Sequence, residues 1–202
     1  MALLIVFEGV EGSGKTTQAQ ILWNKLQSVN SPAITTREPG GTSSGELIRN
    51  LILEQEDLTP ISELYLFNAA RSLLIEQLVI PTLKEGIHVI MDRFIYSTVA
   101  YQSYGRAIPL RTVQTVNEIA SHHLQPDIVI LLDMPPEKAL TRRQDPQDRF
   151  EREAIKFHTK IREGYLTMAR EYQQTWIVIP ADLELNQIAD IVWEKVKTLI
   201  KN

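Results

Sequence analysis

Cysteine is absent from the 202-residue chain, which excludes disulfides and thiolate metal sites. That suits a reducing cytoplasm, where the chain is expected. Long apolar runs are also missing. Hydrophobic residues make up 44% of the chain but lie in short stretches, none near the ~20 residues of a membrane-spanning helix, so no membrane partner is expected. The N-terminus lacks the basic region and small-residue cleavage site of a secretory signal, and its apolar start runs straight into a glycine-rich segment as a buried strand does. Positive charge is in deficit, with 21 Lys and Arg against 25 Asp and Glu and a net charge of -4. A broad nucleic-acid-binding face is therefore excluded, and any anionic ligand must be held by local arginines. The length fits one domain spanning 1–202, large enough to bury a central sheet.

What the sequence does contain is concentrated at its start. Gly9-Val10-Glu11-Gly12-Ser13-Gly14-Lys15-Thr16 is a complete phosphate-binding loop between an apolar run and a helix-like segment. Its glycines let successive N–H groups point inward at phosphate oxygens, and the following helix N-terminus adds partial positive charge. Gly9, Gly12, Ser13, Gly14, Lys15, Thr16 and Thr17 are the expected nucleotide contacts. Lys15 is expected to reach the β- and γ-phosphates of ATP as a solvent-facing charge, and Thr16 to hold Mg²⁺ through its hydroxyl.

Short β-branched or apolar runs at Leu3 to Phe7, Ala33 to Thr36, Ile87 to Met91, Ile128 to Leu132 and Trp176 to Ile179 read as buried parallel strands. Helix-like segments fall at about 15–27, 44–54, 60–84, 94–104, 109–123, 136–144, 150–173 and 184–200. The alternation predicts an α/β fold, a five-stranded parallel sheet with helices on both faces. Ligands of such sheets sit beyond the carboxyl ends of the strands. Two of those ends carry an aspartate, Asp92 and Asp133. Either could organise Mg²⁺, and Asp92 is preferred because Arg93 follows it, setting a metal-facing carboxylate beside a phosphate-facing guanidinium.

Phe67 and Arg71 are four residues apart and share one helix face. A ring there can stack on a base, worth about 1–3 kcal/mol, while the guanidinium reads its edge. Arginine has donors only, so the edge it reads must present an acceptor, as thymine O4 does and the cytosine amino group does not.

The order of these motifs resembles the thymidylate kinase family over nearly the whole chain. The resemblance is carried by the loop with its acid at Glu11, by Thr36-Arg37-Glu38-Pro39-Gly40-Gly41-Thr42, and by Leu66-Phe67-Asn68-Ala69-Ala70-Arg71. Asp92-Arg93-Phe94, followed by Ser97 and by Ala100-Tyr101-Gln102, completes it together with an arginine-rich segment before Phe150. It implies a phosphate-loop nucleoside monophosphate kinase fold, ATP and Mg²⁺ as cofactors, dTMP as acceptor and a homodimer. The apolar circumference of the stretch from Ile61 to Leu83 is in keeping with a dimer. In the family, Glu11 faces the sugar 3′-hydroxyl, Arg37, Arg49 and Arg93 gather around the acceptor phosphate, Ser97 and Gln102 complete the base pocket, and Tyr101 crowds the place of a ribose 2′-hydroxyl. The segment 142–150 looks like a lid. Gly12 has no side chain, so the catalytic cation is expected from the lid, with Arg149 first and Arg143 second, as in the bacterial type. Phe94 departs from the tyrosine frequent after Asp-Arg. Histidines 88, 122, 123 and 158 show no metal-like spacing. A guanine-nucleotide switch is disfavoured because Asn24-Lys25-Leu26-Gln27 lacks the base-reading aspartate; another nucleoside monophosphate or deoxynucleoside kinase remains the alternative.

Overall fold

The first strand continues one residue past the apolar run to include an acid: β1 is Leu4–Glu8, fully buried along its length. The remaining strands are β2 (Ala33–Arg37), β3 (His88–Asp92), β4 (Ile128–Asp133) and β5 (Trp176–Pro180). These elements belong to a computed structural model that describes residues 2–142, 149, 150 and 152–200. All strand pairings are parallel, in the order β2-β3-β1-β4-β5, with Phe7 beside Asp92 and Glu8 beside Leu131. Strand ends thus bring Glu8, Arg37, Asp92 and Asp133 to one edge of the sheet.

The helices are α1 (Lys15–Ser28), α2 (Ser43–Glu54), α3 (Pro60–Leu74), α4 (Ile80–Lys84), α5 (Ile95–Thr98), α6 (Leu110–Ala120), α7 (Pro136–Thr141), α8 (Ile155–Glu171) and α9 (Leu185–Ile200). Crossovers between parallel strands are right-handed. The β1-to-β2 connection runs toward one edge of the sheet and the later ones run toward the other, so α1 lies on one face and α2 to α8 on the opposite face. The chain end returns to the first face, where α9 packs on α1.

Two expected helices are interrupted. The stretch 60–84 contains a π-helical segment at Ile75–Val79, just before Pro81. A proline lacks the N–H for the regular ladder and crowds the preceding turn, and one wide turn relieves both. The stretch 94–104 is α5 followed by a π-helical segment Val99–Gly105. Its wide turn lets Ser97, Thr98, Tyr101 and Gln102 share one wall. Helix α8 begins at Ile155 rather than near 150, because the chain first turns Phe150 into the core. Among the described residues, no helix is long and apolar enough to cross a membrane.

Candidate active site

The turn from β1 to α1 has the shape a phosphate needs. Gly9 and Gly12 sit at φ 142° and 75°, and a Cβ at Gly9 would lie 2.5 Å from the Leu132 carbonyl oxygen. Only glycine fits both conformation and space. Helix α1 starts at Lys15 with no side-chain cap and no acid in its first turn, so its free N–H groups and the positive end of its dipole face the loop. Thr16 and Thr17 are exposed, whereas Ser13 is buried and its hydroxyl has no partner among the described residues.

Lys15 corrects one expectation. It is 6% exposed rather than solvent-facing, and its Nζ donates to the Val10 carbonyl at 2.9 Å. Burial pushes its pKa down, and neighbouring Arg93 adds to the shift; Asp92 and Glu11 oppose them, leaving it at about 8. Thr16 Oγ1 donates to Asp92 Oδ2 at 2.5 Å, so a hydroxyl and a carboxylate converge beside the loop. Among the described residues no three acids or histidines form a metal cage. A hydroxyl and a carboxylate are hard oxygen donors of the kind that suit Mg²⁺. Asp133 is already used, forked onto Arg162 at 2.7 and 2.8 Å.

Beside the loop opens a pocket whose walls include Glu11, Arg49, Phe67, Arg71, Arg93, Ser97, Tyr101 and Gln102, eight of the expected acceptor residues. Arg93 joins the two regions. Its Nη1 donates to the Gly9 carbonyl at 3.2 Å and its Nη2 to Glu11 at 2.7 Å, and its guanidinium lies 5.2 Å from the Tyr101 ring centre. Tyr101 donates its hydroxyl to the other oxygen of Glu11. Burial alone would raise the Glu11 carboxyl, but the Arg93 and Lys15 charges and the Tyr101 bond outweigh it and hold the group at about 2.

Arg37, Arg71 and Arg149 each have protein partners that their expected roles did not include. Arg37 does not line the pocket; it is 54% exposed and paired with Glu46 at 3.0 Å. Arg71 lines it, but a guanidinium has five donor hydrogens, and Glu38, Asn68, Asn117 and Thr98 engage all of its nitrogens. A base oxygen must therefore share or displace one of these bonds. Arg149 is held against α2 and α3 rather than over the phosphate loop: its Nε donates to the Ile52 carbonyl at 2.6 Å, and its Nη2 lies 2.8 Å from Glu63. Arg143 lies outside the described residues, with the rest of 143–148. Gly12 cannot host a substitute cation either, since a Cβ there would meet the Ala139 carbonyl oxygen at 2.7 Å.

Several site residues were not singled out from sequence. Thr98 and Phe150 line the pocket. Glu63, 1% exposed, accepts from Gln102 at 2.7 Å. Glu8 and Tyr165 stand behind Arg93. Glu8 had a signal, an acid inside the apolar run before the loop; Tyr165 had only its place on the buried face of a helix.

A phosphate loop with its lysine, threonine and neighbouring aspartate, set beside a pocket lined by arginines and aromatic rings, defines a phosphate-loop kinase of nucleoside monophosphates. The chain belongs to the thymidylate kinase family: the family model for thymidylate kinase matches residues 7–192. A thymidylate kinase of Dehalococcoides mccartyi is 41% identical, covering 100% of this chain and 99% of that protein. One from Caldanaerobacter subterraneus subsp. tengcongensis is 40% identical over 98% and 96%. The crystal structure of thymidylate kinase from Ehrlichia chaffeensis superposes with a TM-score of 0.80 at 30% identity, covering 96% of this chain and 98% of that one.

Proposed function

We propose that the protein transfers the terminal phosphoryl group of ATP to the phosphate of dTMP, giving ADP and dTDP. The observation that carries this reading is Arg93, which touches the phosphate loop through Gly9 and the acceptor pocket through Glu11 and Tyr101. A cation shared by donor and acceptor sites suits a reaction that depends on alignment and charge neutralisation. Lys15 and the loop N–H groups bind the ATP phosphates. Thr16 and Asp92 would hold Mg²⁺, which would supply positive charge to offset the charge developing on the transferring phosphoryl group. Arg93 and Arg49 hold the acceptor phosphate, Glu11 the sugar hydroxyl, and Phe67 stacks on the base. Ser97 and Gln102 shape the base pocket, and Tyr101 fills space a ribose hydroxyl would need. The test uses ATP labelled at its terminal phosphoryl, with dTMP and Mg²⁺. The label is expected in the terminal phosphoryl of dTDP. Label released only as inorganic phosphate would contradict a kinase.

The same reading includes a homodimer. Leu47 on α2 and Tyr65 on α3 are 71% and 60% exposed, and Ile61 is 44% exposed. Large apolar residues on packed neighbouring helices support a second copy as their cover. Light scattering is expected to give twice the 23.1 kDa chain mass; a monomer at micromolar concentration would refute it.

A further inference from the structure

Glu8 is 0% exposed and has no cation within ion-pair distance among the described residues, yet it sits directly before the phosphate loop. A buried carboxylate without a paired charge is costly unless hydrogen bonds replace the lost water. Here they do. Its Oε1 accepts from the Phe94 and Ser97 backbone N–H groups at 3.0 and 3.1 Å, fastening the start of α5. Its Oε2 accepts from the Ser97 hydroxyl at 2.6 Å and from the Tyr165 hydroxyl at 3.0 Å. Burial raises the carboxyl above its ordinary range, against the Ser97 bond and the Arg93 charge.

The second oxygen sets the polarity of what lies beyond it. Each hydroxyl has one proton. The two hydroxyls also lie 2.8 Å apart, where either has the geometry to donate to the other; when the Glu8 carboxylate takes both protons instead, the lone pairs of Ser97 and Tyr165 are left for Arg93 Nη1, which lies 3.1 Å from one and 3.2 Å from the other. Arg93 is also held at φ 74°, a left-handed conformation that non-glycine residues adopt only where surrounding contacts over-determine it.

We propose that Glu8 is a positioning residue that takes the Ser97 and Tyr165 hydroxyl protons and so aims their lone pairs at Arg93, fixing that guanidinium for the acceptor phosphate. This rests on the acceptor reading given above. Fully buried, Glu8 acts through two hydroxyls on Arg93, which contacts both the phosphate loop and the pocket.

Glu8→Gln separates this role from plain structural support. The amide keeps the shape, but either orientation creates a mismatch: its NH₂ meets the two backbone N–H groups, or it makes the two hydroxyls accept and turns their protons toward Arg93. Tyr165→Phe is the second variant, removing one hydroxyl while leaving the backbone bonds of Glu8 intact. The KM for dTMP is expected to rise about tenfold in Glu8→Gln, the effect of one buried polar mismatch, and about threefold in Tyr165→Phe. The KM for ATP stays within about twofold in both. The double variant is expected to fall well short of the product of the two effects, since both act on one network. Equal rises in both KM values, additive effects, or a lowered melting temperature with unchanged KM for dTMP would overturn the proposal and leave Glu8 a structural cap. Absence of dTMP turnover in the wild type would instead defeat the acceptor reading. The comparison then rests on inorganic phosphate, whose dissociation constant must rise in Glu8→Gln for the positioning role to stand.

Discussion

Lys15→Ala is expected to lower turnover with Mg-ATP by about a thousandfold or more, the scale on which cations at a transferring phosphoryl group act. The lysine is buried beside Asp92, Glu11 and Arg93, so its charge acts with little solvent screening. Its loss also removes one of the cations that holds the Glu11 carboxyl low. The fold is expected to survive. In the folded protein the lysine's pKa is depressed to about 8 from 10.5. The unfolded chain therefore binds its proton more tightly, and the charged lysine weakens folding at every pH below about 8. Alanine removes that cost, so the melting temperature at neutral pH is expected to hold or rise. The same shift predicts a pH limb in the wild type: kcat/KM for ATP falls as pH climbs through about 8 and the free enzyme loses its loop cation. At saturating ATP the bound phosphates favour the charged form, so kcat changes less. Steady-state kinetics across pH check both, and near-normal turnover of Lys15→Ala would contradict the role.

The sheet was legible because its strands are short apolar runs beside punctuating glycines, prolines and charges; each strand ends one residue later than its apolar run, at Glu8, Arg37, Asp92, Asp133 and Pro180, and β1 and β3 also begin one residue later. The phosphate loop was legible because its chemistry is local: four fixed positions between a strand and a helix fold the same way wherever they occur. Residues that act across the fold were harder. Spacing put Phe67 and Arg71 on one face, but nothing in it tells that Glu38 and Asn117, 33 and 46 residues from Arg71, consume its donors. Arg149 reads as a free lid cation from its neighbours alone; its partners Ile52 and Glu63 lie on helices far back in the chain. Lys15 reads as solvent-facing because the motif describes its ligand and not the Val10 carbonyl that holds it meanwhile. Local pattern carries local chemistry, and the polar networks behind the pocket depend on tertiary contacts.

Those networks bear on the second large expected effect, discrimination between pyrimidines. Arg71 is 1% exposed and forked onto Glu38, so it cannot swing away from an unsuitable base without unpairing a buried charge. Thymine O4 can share one of its N–H groups. The cytosine amino group in that position sets donor against donor and leaves both without partners in a buried site. The thymine methyl is a lesser feature, since one apolar group is worth about 1–3 kcal/mol in such a pocket. dUMP is therefore expected to be a poorer acceptor than dTMP, and dCMP poorer still, by about a hundredfold or more in kcat/KM. Selection of thymidine monophosphate by this pocket, for a phosphoryl group delivered by the loop, is tested most directly by ADP release with Mg-ATP across dTMP, dUMP, dCMP and dGMP. dTMP with the highest kcat/KM and dCMP at least about a hundredfold below it is the result the pocket predicts; equal efficiency on dCMP and dTMP would contradict it.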